Sequence, residues 1–116
     1  MHEQMKNKIY YTVKSRHDLD DIWDYIAVEL QNRVAAKRVI QRILDAVDRL
    51  EDYAELGAPL SSVIDVHSDY RFLICGNYMV FYRVHGTNVY VDRVLYARRN
   101  YLRALFSDLP NDTTDE

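Results

Sequence analysis

The side chains best suited to chemistry lie near the end of the chain, in VLYARRNYLRALF at 94–106. Arg98 and Arg99 stand side by side, Arg103 follows four residues on, Tyr101 lies between them, and Arg93 sits just ahead of the stretch. An arginine's planar fork binds phosphate or carboxylate through two parallel hydrogen bonds, which lysine cannot reproduce. Cations of this kind hold a phosphate and stabilise its developing charge, and a neighbouring phenol is able to protonate a leaving oxygen. Arg93, Arg98, Arg99, Tyr101 and Arg103 are therefore read as a target-facing surface, with a solvated helix face as the plain alternative.

The charge distribution favours the first reading. The formal net charge is -3, yet residues 70–106 hold Arg71, Arg83, Arg93, Arg98, Arg99 and Arg103 against Asp92 alone. The last ten residues, SDLPNDTTDE, hold Asp108, Asp112, Asp115 and Glu116 and no base, so an acidic tail masks a basic C-terminal half. Short, polar and Pro-containing, 107–116 is expected to be a disordered tail.

Other chemistries lack their residues. His17, His67 and His85 have no partner at i, i+4 and Cys75 stands alone, so metal spacing is missing and neither metal nor cofactor is expected. Ser61-Ser62 has no nucleophile-elbow context, and three glycines form no phosphate loop. Cys75, inside the apolar run RFLICGNY, reads as a buried small hydrophobe in a reducing compartment. No apolar run approaches the roughly 18–20 residues of a membrane span, and the start MHEQMKNKIYY is unlike a signal peptide, which predicts a cytoplasmic protein without membrane contact.

At 116 residues the chain has the size of one domain with one core. Lys8–Lys14, KIYYTVK, is rich in β-branched and aromatic residues and reads as a strand. Ser15 then opens a Ser-x-x-Asp cap to a helix whose stripe is Leu19, Ile22, Trp23, Ile26 and Leu30, with Asp18, Asp20, Asp21 and Asp24 outside it. Asn32 caps a second helix, striped by Ala36, Val39, Ile40, Ile43, Leu44, Val47 and Leu50, and Gly57 and Pro59 close the hairpin.

From there the period falls to two. YRFLIC, YMVFYRV and VYVDRVLYA read as three strands joined by turns at Gly76-Asn77 and HGTN, followed by a short helix over about 99–106. The fold class is α+β: an N-terminal strand, a helical hairpin, a three-stranded antiparallel meander in the same sheet, and a short C-terminal helix. The hairpin packs on one face of four strands, with the first strand returning beside the last. Most of the ten tyrosines suit strand packing, with a few left for a partner surface.

The segments YYTVKSRHDLDDIWDYIA, AAKRVIQRILDAVDRLEDYAELGAPL, YRFLICGNYMVFYRV and VDRVLYARRNYLRALF, in that order, resemble the RelE/ParE superfamily of bacterial type II toxins over roughly residues 8–106. The resemblance makes 1–106 a single toxin domain and implies a small cognate antitoxin, acidic and encoded adjacently. Trp23, Arg71, Tyr82 and Tyr96 are the residues expected to meet it.

Two activities are carried by that superfamily: ribosome-dependent cleavage of messenger RNA by RelE-like members and inhibition of DNA gyrase by ParE-like members. RelE-like nucleases place an arginine directly after the aromatic that starts the middle strand; here Met79 follows Tyr78. Aligning Arg98 with the late arginine puts Ala104 where a tyrosine is expected, and Tyr101 falls three residues early. A nuclease would have to work with Arg83, Arg98 and Tyr101. The long second helix and the phrase Trp23-Asp24-Tyr25-Ile26 are nearer the ParE-like branch, so gyrase is the expected target, with the ribosome and its messenger RNA as the alternative. A non-toxic relative that binds an antitoxin or RNA is the rival from another class.

Overall fold

A computed structural model of the chain describes residues 6–98 and 100–106. The expectations attached to Arg99 and to the acidic tail 107–116 lie outside the described residues. β1 (Lys8–Tyr11) leads into α1 (Val13–Asp24), a π-helical turn (Tyr25–Glu29) and α2 (Arg33–Asp48). A two-residue β2 (Ala58–Pro59) precedes the meander of β3 (Arg71–Cys75), β4 (Tyr78–His85) and β5 (Asn88–Tyr96), and α3 (Tyr101–Leu105) follows. The sheet order is β1-β5-β4-β3-β2. β1 runs parallel to β5 from Lys8 opposite Asn88 to Tyr11 opposite Val91, so the first strand does return beside the last. Gly76 and Gly86 take the left-handed turn conformation at φ 61° and 63°, which a side chain would resist.

Three features depart from the expected pattern. The sheet has five strands, because Pro59 and Ala58 pair with Arg71 and Phe72. Two residues carry no readable period, and a proline is tolerated there only because the strand is at an edge. Helix α1 begins at Val13, capped by Thr12 and not Ser15: the Thr12 hydroxyl accepts from the Ser15 amide at 3.1 Å. The sheet holds this cap in place, since the Thr12 amide donates to the Val91 carbonyl and its hydroxyl donates to the Asp92 carbonyl, each at 3.1 Å. Finally, the π-turn shifts the helical phase, so Leu30 leaves the apolar stripe and is exposed, and Gln31 at φ 53° reverses the chain before Asn32 caps α2.

Both faces of the sheet are covered. On one, Val80, Tyr82, Val89, Val91 and Val94 meet Ile22, Ile26, Ala36, Ile43 and Val47 of the helical hairpin. On the other, Phe72, Met79, Phe81 and Leu95 meet Leu60, Tyr70, Tyr101, Leu105 and Phe106. A bulge makes this division possible: Phe81 faces Arg93 but Tyr82 faces Val91, leaving Asp92 without a register partner. The extra residue flips the alternation of β5, so Val91 and Val94 share one face despite their odd spacing. No helix among the described residues is long and apolar enough to cross a membrane.

Candidate functional site

The arginine series divides into residues committed to the fold and residues left outside it. β1 stops opposite Val91, so among the described residues no strand lies beside the edge of β5 beyond that point. Asp18 of α1 takes its place: Oδ2 accepts the Val94 amide at 2.8 Å. The same carboxylate receives Arg93 through both prongs, Nε to Oδ2 at 2.8 Å and Nη2 to Oδ1 at 2.9 Å, while Nη1 donates to the Ala104 carbonyl at 3.3 Å. The hydrogen bond to Asp18 is the main cause that raises the Arg93 guanidinium above its ordinary pKa. With its side chain only 16% exposed, Arg93 clamps α1, β5 and the C-terminal segment. This corrects two readings, since Asp18 is not on the solvent face of α1 and Arg93 is not free to meet a target.

Arg83 is held by a single ion pair at the surface, its side chain 47% exposed. Its Nε donates to Asp92 Oδ2 at 2.7 Å and its guanidinium lies 5.7 Å from the Tyr70 ring centre, so the bulged Asp92 is neutralised beside the strand that needs it. Arg71 donates from Nη1 to the Gly57 carbonyl at 2.6 Å. Arg98 and Arg103 are exposed. Tyr101 is half-buried, its ring centre 5.4 Å from that of Phe81. The surplus of base counted along 70–106 is thus partly cancelled in space by Asp18, an acid from a distant helix, as well as by Asp92.

Of the residues expected to meet an antitoxin, Tyr82 is corrected outright. It is fully buried, its hydroxyl donating to the Ala54 carbonyl at 2.8 Å and accepting the Gly57 amide at 2.9 Å. An inward tyrosine beside an alternating strand is indistinguishable in sequence from an outward one. Trp23 is half-buried against the main core. Tyr96 is exposed at the β5 edge.

A groove of about 940 Å³ between α2 and the β3 edge escaped the sequence reading. Lys37, Arg38, Arg42 and Arg49 line it, with Asp45 as the one acid. β2 pairs only with Phe72 and Arg71, so Leu73–Cys75 form an open sheet edge along its floor. Val34 and Ile74, at 68% and 70% exposure, add unusually open apolar surface. The signal was available: Arg38, Arg42 and Arg49 recur at i, i+4, i+11 on one helix face. Cys75 lines the same groove, but burial pushes its thiol up, against a smaller opposing effect of Arg42, so it is poorly disposed to be a nucleophile.

A second cavity, of about 400 Å³, lies between α1 and the unpaired end of β5. Tyr25, Tyr78 and Tyr96 wall it, Asp21 stands at α1, and Ile22, Val94 and Leu95 supply apolar surface. Tyr78 and Tyr96 meet edge-on at 5.8 Å. Burial, then the neighbouring Tyr96 and Tyr25, raises the Tyr78 phenol above its usual pKa. Among the described residues no three His, Cys, Asp or Glu groups are placed to hold a metal.

The chain is similar to known proteins. It is similar, at 25% identity and a TM-score of 0.66, to a chain in a structure of a chromosomal ParDE toxin–antitoxin system from P. aeruginosa, over 80% of this chain and 98% of that one. A chain of the RelBE2 toxin–antitoxin complex from Mycobacterium tuberculosis matches at 20% identity and a TM-score of 0.48, over 81% of this chain and 94% of that one. No curated protein sequence matches the chain. The family model for the ParE toxin of the type II toxin–antitoxin system parDE matches residues 9–101, which takes in β1 from its second residue, both hairpin helices, the whole meander and the first residue of α3. The chain belongs to the ParE toxin family of type II toxin–antitoxin systems.

Proposed function

We propose that this toxin arrests growth by acting on DNA gyrase, as ParE-like members do, and that an acidic antitoxin segment silences it. The observation that carries the choice of target is the position of Met79. Where a RelE-like nuclease presents a phosphate-binding arginine, this chain has a thioether buried against Phe81 and Leu95. The remaining nuclease candidates are poorly disposed as well. Arg83 is tied to Asp92, and Tyr101 packs on Phe81. Arg98 and Arg103 are then the described members of the series best suited to meet the target, with Arg99 proposed beside them.

The proposed antitoxin segment adds a strand to the open edge at Leu73–Cys75, its acids turned toward Lys37, Arg38 and Arg42 and its apolar residues covering Val34 and Ile74. Such charge pairs at a wet rim mainly accelerate encounter, while buried apolar anchors set the lifetime of the complex. The P. aeruginosa structure is of a toxin–antitoxin system, which supports an antitoxin partner here.

The deciding experiment compares purified toxin in a gyrase supercoiling assay with toxin added to translating ribosomes. Loss of supercoiling with intact messenger RNA is expected, and Arg98→Ala/Arg99→Ala is expected to abolish it while leaving the fold unchanged. Reproducible cleavage of messenger RNA on ribosomes, lost in Tyr101→Phe, would replace gyrase with the RelE-like target. Unimpaired growth at confirmed soluble expression would make the chain a non-toxic relative.

A further inference from the structure

The tyrosine-walled cavity shares no lining residue with the basic groove and has the opposite electrostatic character. It is walled by three tyrosines, Tyr25, Tyr78 and Tyr96, whose rings and phenols are electron-rich, and its one uncommitted charge is Asp21, which forms no ion pair with any described residue. Asp18, the other acid there, is already neutralised by both prongs of Arg93. Ile22, Val94 and Leu95 complete the lining with aliphatic surface.

Each part matches one part of an arginine side chain. The aliphatic surface suits the methylene stem, the aromatic faces attract a guanidinium through their quadrupoles, and the carboxylate accepts its hydrogen bonds. Two of the three rings are open to receive it, Tyr25 being 52% and Tyr96 45% exposed. The setting also suits a polypeptide over a free small molecule. The cavity runs along Val94–Tyr96, where β5 has lost its β1 neighbour; Asp18 already takes the Val94 amide, so a chain passing there follows the β5 edge beyond Val94.

We propose that the cavity framed by Tyr25, Tyr78, Tyr96 and Asp21 is an aromatic cage for an arginine side chain of a partner polypeptide that lies along the open end of β5. The site does not depend on which target the toxin attacks, nor on the basic groove.

The test is an NMR titration of the full chain, ¹⁵N-labelled, with N-acetyl-arginine N-methylamide. Saturable shifts are expected at Tyr25, Tyr78 and Val94–Tyr96. The uncharged isostere, N-acetyl-citrulline N-methylamide, should bind about tenfold more weakly, the equivalent of about 1.4 kcal/mol. Asp21→Asn and Tyr96→Ala, both at exposed positions, should each weaken the arginine probe severalfold and leave remote resonances unmoved. A five-residue peptide with a central arginine should bind more tightly than the capped amino acid. Equal binding of arginine and citrulline probes, or no saturable shift up to the solubility of the probe, overturns the cage. Equal affinity of the peptide and the capped amino acid overturns the polypeptide occupant. Binding that emerges only in Arg98→Ala/Arg99→Ala would assign the cage to the chain's own arginines and overturn the partner.

Discussion

Replacing Asp18 with alanine removes three hydrogen bonds at once: two from Arg93 and one from the Val94 amide. The carboxylate and guanidinium side chains are 9% and 16% exposed, so the pair belongs with buried ion pairs and not with surface ones. Stranding one partner of a buried pair costs about 3–5 kcal/mol, and an unsatisfied buried amide alone accounts for about 1–3 kcal/mol. At about 4 °C per kcal/mol for a domain near this size, Asp18→Ala should lower the thermal midpoint by about 12–20 °C. The double variant Asp18→Ala/Arg93→Leu removes the stranded cation but leaves the Val94 amide bare, so it should recover part of the loss and not all of it. Urea titration followed by circular dichroism, with thermal melts of wild type and both variants, reads both quantities. A loss below about 1 kcal/mol for Asp18→Ala, the range of a surface pair, would refute the view that this carboxylate replaces the missing strand. Full recovery in the double variant would show that the Val94 bond contributes nothing.

Further predictions rest on separate contacts. Gly57→Ala should destabilise strongly or prevent folding, since a Cβ there would stand 2.6 Å from the Phe72 carbonyl oxygen and 2.7 Å from the Tyr82 hydroxyl; a denaturation midpoint within error of wild type would contradict it. Tyr82→Phe keeps the ring but strips the Gly57 amide and the Ala54 carbonyl of their partner, for an expected loss of about 1–3 kcal/mol by urea titration. Tyr11 is pushed up to about 12 by burial and by Asp48, so the unfolded chain loses its proton first; stability should hold below about pH 10 and fall as pH rises toward about 12. In Tyr11→Phe that alkaline decline should be shallower, though Tyr70, Tyr78 and Tyr82, also raised by burial, keep some of it. Arg38→Glu/Arg42→Glu in the basic groove should slow association with an acidic antitoxin peptide by about tenfold or more at low salt, with a smaller change in dissociation, as measured by surface plasmon resonance.

Local periodicity by itself determined the main elements, though not the two-residue β2 or the π-turn. Ala36, Ile43, Val47 and Leu50 fall inward because their spacing follows the helical turn, Asn32 caps α2 because its side chain reaches an amide three residues on, and Gly76 and Gly86 sit where the backbone needs positive φ. The sequence also carried the family, whose model matches residues 9–101. Pairings between distant segments were decided only by the tertiary structure. Asp18 looked like a cap or a solvent-facing acid because its partners, Val94 and Arg93, lie some 75 residues away in sequence. Tyr82 looked like a surface tyrosine because alternation alone does not say which face of β4 meets the helices; with Val80 it lies on the helical side, its hydroxyl between Ala54 and Gly57. The charge of the arginine series was counted along the chain, but charges act through space. Folding therefore removed Arg71, Arg83 and Arg93 from that series, and it set Lys37, Arg38, Arg42 and Arg49 beside an open strand edge that no local pattern could reveal.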